Sequence, residues 1–374
     1  MIDIKESPLY FRLMCKLLLV ILFVVVLEIA QDLLIPLTIA IFFTFLLMPV
    51  SRKLMQWRFP PALAIIISIL LAIAVLGGLI YFFYYQVLSF GDDLPELKKS
   101  VEEKVGRLQA YINERFNISR REQSKWFNQK MKENTSSGGG LIVGLFSATS
   151  SLMASFALIP IYVFFLSYYK EKYKKFIVII SNDSDPEKVL NIIKKISTVS
   201  QKYLKGVFLD IVILSVLNSV GFLLLGLKHA ILFGVLAAIL NIIPYIGVLI
   251  GSILPVLMAL ITKDEISYAL GALGVCLVVQ FLDNNFITPY VVGSSVSINP
   301  LTATIALVTG ALIWGVPGMI LCMPITGMIK VVCDNVERLK PYGFLIGEEV
   351  DYRQQEHIQD IIIKKLKGKK PPVA

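Results

Sequence analysis

Histidine is scarce in this chain, two in 374 residues, and His229 and His357 stand far apart. There is no His-Glu-x-x-His pair, no Gly-x-Ser-x-Gly elbow and no phosphate-binding Gly-rich loop, so the residue sets of zinc peptidases, serine hydrolases and nucleotide-driven pumps are missing. The chain therefore reads as no enzyme, with no cofactor and no metal site. Cysteine is equally thin. Cys15, Cys276, Cys322 and Cys333 each lie in or beside an apolar run without Cys-x-x-Cys spacing, which suits small buried hydrophobes and suggests neither disulfide nor zinc. Charge is short too, at 17% of residues, against 56% hydrophobic residues and a mean hydropathy of +0.73. Ordinary soluble domains are not built this way. The composition is that of a polytopic membrane protein. The net charge of +9 would suggest nucleic acid in a soluble chain. Here the lysines cluster beside apolar segments, so lipid headgroups explain them and nucleic acid is set aside.

The first apolar stretches, 13–30 and 33–50, are separated only by Gln31 and Asp32 and predict a tight helical hairpin. No Ala-x-Ala-like site follows the first, so it reads as a retained helix. Lys5, Arg12 and Lys16 before the pair, and Arg52, Lys53 and Arg58 after it, place both flanks in the cytoplasm. Pro36 and Pro49 sit near the ends of the second helix, where a missing N–H costs little. A third span, 62–88, closes in the aromatic run Tyr81 to Tyr85, suited to the far interface.

Residues 89–140 lose this character. Leu94, Leu97, Val101, Val105, Leu108 and Ile112 recur at helical spacing, and Ser119 with Glu122 forms a capping box for a second helix carrying Trp126, Phe127 and Met131. Span parity puts this insert outside, against the bias expected from its ten Lys/Arg and eight Asp/Glu. The Asn117-Ile118-Ser119 triplet matches a glycosylation acceptor, a pattern too short to carry weight, and 135–140 is a Gly/Ser joint.

A fourth span, 141–169, ends in Lys170, Lys172, Lys174 and Lys175, a cytoplasmic anchor. Asp185, Pro186 and Glu187 then open an amphipathic helix with Lys188, Lys194, Lys195 and Lys202 opposite Val189, Ile193, Ile196 and Tyr203. It reads as interfacial, with a calmodulin-target-like segment as the rival. The fifth span, 206–227, contains Asp210 and Asn218.

Two runs are too long for one crossing. Residues 230–262 hold no charge over 33 positions, roughly 50 Å as one helix against a hydrocarbon core of about 30 Å. Residues 299–329 repeat the problem. Each must break, tilt or turn back, at Asn241 to Gly247 with Gly251 and Pro255 beyond, and at Gly315 to Gly318 with Pro324 beyond. If both cross, there are eight spans; if both fold back, there are six crossings and two re-entrant elements, with opposed halves and alternating access between them. An offset of 45 positions superposes Pro244-Tyr245 on Pro289-Tyr290 and Pro255 on Pro300, a weak internal repeat.

Between the long runs, 283–300 is polar and broken by Pro289, Gly293 and Pro300. Unwound backbone survives in a bilayer only where it lines a cavity or packs on protein, so this stretch is the candidate centre. Asp283 with Asn284 and Asn285 can bind a cation or relay a proton; capping a helix at the aqueous interface is the alternative. Asn241, Tyr245, Tyr290 and Asn299 can hydrogen-bond a small polar solute, and helix-to-helix polar bonding is their rival role. Pro244, Gly247, Pro289, Gly293 and Pro300 complete the expected pathway, chiefly as shapers of broken helices. Gly251, Pro255, Gly315, Pro317, Gly318 and Pro324 are expected hinges. Asp210, one turn beyond Lys205, is the weaker acidic candidate.

At Asn241-Ile-Ile-Pro-Tyr-Ile-Gly247, Thr288-Pro-Tyr-Val-Val-Gly293, Asn299-Pro300 and Gly315-Val-Pro-Gly318, with the early Pro36 and Pro49, the chain resembles the autoinducer-2 exporter (AI-2E) family over nearly its whole length. The resemblance implies an eight-span bacterial inner-membrane protein with an insert after span three, acting as a homo-oligomer, with a pentamer as one form. It also implies export of a small signalling molecule, or sodium or proton exchange, as linked to different members. It does not supply a role for Asp283.

The expected architecture is an all-α polytopic membrane protein of about eight transmembrane helices, two of the C-terminal ones broken or re-entrant, plus a small helical insert. Residues 1–88 form a three-helix membrane scaffold, 89–140 the extracytoplasmic insert, 141–169 the fourth membrane helix, and 170–205 a cytoplasmic amphipathic helix. Residues 206–333 are the transport core and 334–374 a cytoplasmic tail, rich in lysine at its end. The expected activity is secondary export of a small polar solute, with or without ion coupling. A sodium or proton antiporter and a membrane scaffold are the alternatives. The expected partners are the lipid bilayer, the solute, a sodium ion or proton, and further copies of the chain, with both termini cytoplasmic.

Overall fold

The computed structural model describes residues 8–116, 157–181, 185–243, 246–292 and 297–348. Pro244, Tyr245 and Gly293 lie outside these, as do the second insert helix, the Asn117 triplet, the 135–140 joint and the lysine-rich end. The described residues are helical without a named strand, apart from one isolated bridge between Ile298 and Gly347.

Helices α1 (Leu9–Ile29) and α2 (Gln31–Gln56) form the expected hairpin. The next helix, α3 (Pro61–Phe116), is continuous through the 88/89 boundary. At 56 residues it is roughly 84 Å long, far beyond a hydrocarbon core of about 30 Å, so membrane span and insert share one rod. Short α4 (Ala157–Tyr168) packs on α2, with Ile159 and Val163 against Ala40. After α5 (Lys170–Ser181), α6 (Pro186–Leu224) likewise runs unbroken through the 205/206 boundary. Asp185 caps it by accepting from the Glu187 and Lys188 N–H groups at 3.0 and 3.2 Å, with Pro186 in the first turn. The lysine-bearing helix is therefore the polar half of the fifth span.

Each over-long run is divided into two arms packed against each other. Residues 230–262 become α7 (Ala230–Leu240) and α8 (Ile246–Thr262), two antiparallel arms in which Gly247 lies against the Leu240 carbonyl and Gly251 against Ala237. A side chain at Gly247 would overlap that carbonyl, so the arms close only on glycine. In α11 (Pro300–Asn335) the chain reverses at Gly315, whose φ of 60° and ψ of −135° are unsuited to residues with a side chain. Gly310 and Gly318 meet backbone to backbone across the reversal.

The two hairpins enter the bundle from opposite ends. The open end of α7–α8 lies by Lys228 and Lys263, against the C-terminal half of α3. The open end of α11 lies by Lys195 on the polar half of α6, which donates to Asn335 at 2.7 Å. Its tip reaches the far end of α1, where Trp314 donates to the Leu27 carbonyl at 2.9 Å. Between the hairpins, α6 and α9 (Ile266–Leu282) pack antiparallel, with Gly206 against Val291 and Gly221 against Val275.

The stretch 283–292 is not unwound. A π turn, Asp283–Ile287, continues α9 directly into α10 (Thr288–Val291). The proposed repeat therefore has no local counterpart: Pro255 lies inside α8, whereas Pro300 is the first residue of α11. A 3₁₀ turn (Glu337–Leu339) and α12 (Lys340–Ile346) fold the start of the expected tail back onto α11.

By length and composition five described helical stretches can cross a membrane, Gln31–Gln56, Pro61–Arg107, Pro186–Leu224, Ile266–Val291 and Pro300–Asn335, the last reaching its full length only across the reversal at Gly315. The apolar core lies where α6, α7, α8, α9 and α3 meet, around Phe222, Phe233, Met258, Ala272 and Leu97. Elsewhere large apolar side chains face outward, as on α1, where Leu13 to Val26 are largely exposed, the pattern of a lipid-facing surface.

Candidate functional site

Asp283 is 3% exposed and holds the centre of a polar knot. Its Oδ2 accepts from Asn241 Nδ2 at 2.9 Å and Gln280 Nε2 at 3.4 Å, and its Oδ1 accepts from Thr288 Oγ1 at 2.6 Å. The π turn makes this possible. It widens the hydrogen-bond register to i→i+5, which brings Thr288 back over Asp283; an ordinary helix would turn it aside. Asn285 Nδ2 donates to the Phe281 carbonyl at 2.8 Å, giving that carbonyl a side-chain partner next to the widened turn. Gln280 also donates to Asn284 Oδ1 at 3.0 Å.

Asn241 comes from the tip of the α7–α8 hairpin, so the knot joins the folded-back element to the bulged helix. Asp210 of α6 completes it, with its carboxyl against that of Asp283. Its Oδ1 is buried without a donor among the described residues. The close approach of α6 and α10 rests on Gly206, where a side chain would strike the Val291 carbonyl. Buried polar groups without partners cost about 1–3 kcal/mol each, so such a cluster is unusual in an apolar bundle.

Beside the knot lies a cavity of about 30 Å³, lined by Asn218, Asn241, Ser252 and Gln280 among apolar residues. Asn218 is anchored by donating to the Leu214 carbonyl at 3.0 Å. The space suits a water or two, or a bare ion; organic ligands need several hundred Å³.

Sequence reasoning singled out Asp283 and Asn241, and the structure brings these two together, with Gly247 and Gly251 closing the hairpin behind them. It separates others. Asn299 caps α11 by accepting from the Thr302 N–H at 2.8 Å, while its Nδ2 donates to the Leu345 and Gly347 carbonyls at 2.6 and 3.0 Å. Asn299 and Pro300 thus tie α11 to α12. Tyr290 is 89% exposed, and Asn284, Asn285 and Pro289 are exposed as well. Pro317, Gly318 and Pro324 belong to the returning arm of α11. Asp210 ranked low and Gln280, Thr288 and Ser252 not at all. A carboxylate inside the fifth apolar span was the available signal for Asp210; the hydroxyl and amide residues carried none without the π register.

A second polar cluster fixes the other end of the core. His229 Nε2 lies 2.9 Å from Asp93 Oδ2, and Lys228 pairs with Glu96 at 3.0 Å and Asp93 at 3.7 Å. The hydrogen bond to Glu96, with the Asp93 charge behind it, holds the Lys228 ammonium above the ordinary lysine value. Lys104 donates to the Leu260 carbonyl at 2.7 Å and to that of Lys263, capping the C-terminal end of α8. His229 takes a left-handed backbone, φ 57°, at the corner into α7, and its ring meets Phe90 edge to face. The C-terminal half of α3 therefore grips both feet of the α7–α8 hairpin.

These features define a multi-pass α-helical membrane protein with a buried acidic knot at the tip of the α7–α8 hairpin. Residues 17–338 match the model of the AI-2E family transporter, and the chain belongs to that family. Among its relatives are YrrI of Bacillus subtilis (strain 168), 25% identical over 82% of this chain and 87% of its own, and YueF of the same strain, 28% identical over 81% and 84%. YhhT of Escherichia coli (strain K12) is 24% identical over 85% and 89%. The names of all three propose a transport role.

Proposed function

We propose that this chain is a secondary transporter of the inner membrane that exports a small polar solute or signalling molecule. In this reading residues 206–333 move or gate against a scaffold formed by the first four spans and the insert. The observation that carries it is the Asn241–Asp283 bond: a buried acid held by the tip of a folded-back hairpin couples the state of one group to the position of one element. A charged side chain at mid-membrane costs about 2.5–3.5 kcal/mol on insertion scales, so it is retained where function needs it. The hairpins entering from opposite ends support alternating access, in which each hairpin gates one side. Both termini lie in the cytoplasm and the chain works as a homo-oligomer.

Sodium or proton antiport is the second reading, favoured by one observation. The cavity beside Asp283 admits a water or a bare ion and no organic solute, and Asp210 and Asp283 set two carboxyls side by side next to it, oxygens suited to a small cation. Flux in proteoliposomes with imposed proton and sodium gradients tests both readings. Solute flux driven by either gradient supports the exporter, sodium-for-proton exchange without solute supports the antiporter, and no flux of any kind, with Asp283→Asn unchanged, returns the chain to a scaffold role.

A further inference from the structure

A cleft of about 630 Å³ opens between the polar half of α6 and the last turns of α11. Lys194, Lys195, Thr198 and Lys202 line one side, and Asp334 and Asn335 the other. On α6 these positions share one helical face, and the lysines are exposed along the open side of the cleft. Their charge is poorly balanced there. Asp334 is engaged by Lys330 at 2.5 Å, and Lys195 gives one of its three N–H donors to Asn335 Oδ1 at 2.7 Å. Lys194 and Lys202 have no carboxylate partner among the described residues. With Asp334 paired to Lys330, the three lysines leave the cleft with an excess of positive charge, which concentrates the opposite ion. Ammonium groups are strongly hydrated point charges with three donors each, suited to a multiply charged oxyanion that several of them surround.

We propose that this cleft is a binding site for a phosphate group, held by Lys194, Lys195 and Lys202 at the open end of the α11 hairpin. Bound there, the phosphate sits on α6, the helix that carries Asp210, beside the Lys195–Asn335 bond that joins α6 to α11. The axial position of the lysines separates two sources of the phosphate. Counting from Gly206, where the apolar run opens, Lys202 stands about 6 Å out and Lys194 and Lys195 about 16–18 Å out, at 1.5 Å per residue. The headgroup layer is only about 5–8 Å deep on each side. A phospholipid headgroup therefore reaches Lys202, and a soluble phosphate compound meets all three.

The test uses the full-length protein in neutral detergent. One arm titrates pyrophosphate and follows the melting temperature; the other follows retention of phosphatidylglycerol over phosphatidylcholine by native mass spectrometry. The variants are Lys194→Gln with Lys195→Gln, Lys202→Gln alone, and a charge-matched control, Lys172→Gln with Lys175→Gln on α5. A saturable pyrophosphate shift, weakened at least tenfold by the Lys194/Lys195 variant and untouched by the control, establishes a soluble phosphate ligand. Phosphatidylglycerol preference lost in Lys202→Gln, with no pyrophosphate effect, establishes a lipid headgroup. Saturable binding of neither probe, or equal loss in the control, overturns the site.

Discussion

Asn241 and Asp283 stand 42 positions apart in the chain and 2.9 Å apart in space. The amide comes from the turn of a hairpin and the carboxylate from the bulge of a helix, so neither irregular element keeps its partner if the other shifts. Asn241→Ala removes a donor from a buried carboxylate and is expected to destabilise this arrangement by about 1–3 kcal/mol. Transport should fall with it, whereas Asn285→Ala, on an exposed position, should leave transport within twofold. Flux assays on both variants, at matched expression, check the contrast.

Asp283→Asn keeps shape and loses charge. Ion-driven flux in proteoliposomes is expected to drop at least tenfold, with the protein still folded by size-exclusion chromatography. Unchanged flux and unchanged proton and sodium dependence would remove Asp283 from the mechanism.

Asp210→Asn tests the carboxyl pair separately. With one acid of the pair removed, the variant is expected to flatten the dependence of flux on an imposed pH gradient more than it lowers maximal flux. A parallel fall of both, with the pH profile preserved, would mean Asp210 is only a packing residue.

The α11 reversal separates two glycine roles. At Gly315 an added methyl meets open space but the backbone is left-handed, so Gly315→Ala should cost about 1–2 kcal/mol. At Gly318 the methyl would strike the Gly310 carbonyl, and Gly318→Ala should cost more, about 2–3 kcal/mol or a misassembled hairpin. Denaturation midpoints of the two variants in one detergent give the order; the reverse order refutes the hairpin.

The grip of α3 on α7 should show as coupling. Asp93→Asn and His229→Gln are each expected to destabilise by roughly 1 kcal/mol, and the double variant by clearly less than their sum. Additive losses would show that the 2.9 Å contact carries no energy.

Much of this architecture was legible in composition and pattern. Apolar runs mark the membrane helices because backbone polar groups in lipid must pair within the segment. Length exposed the two folded-back runs, since 33 uncharged residues exceed any bilayer as one helix. Asp283 and Asn241 were findable because polar residues are rare in such surroundings. Helix ends were less legible. The rods α3 and α6 continue past the apolar boundaries because helix propensity and capping, unlike hydropathy, do not change where a membrane ends.

What the sequence determined by itself is the class of protein, its helical runs and where they must break, all consequences of local composition against a fixed bilayer thickness. What the tertiary structure decided is pairing. Asp210 meets Asp283 because Gly206 lets two backbones close, Thr288 reaches Asp283 because a π turn adds one residue to the register, and Asn299 turns from site residue to cap because α12 folds back on it. Such contacts depend on how helices pack against one another, and no periodicity along one chain encodes the register between two.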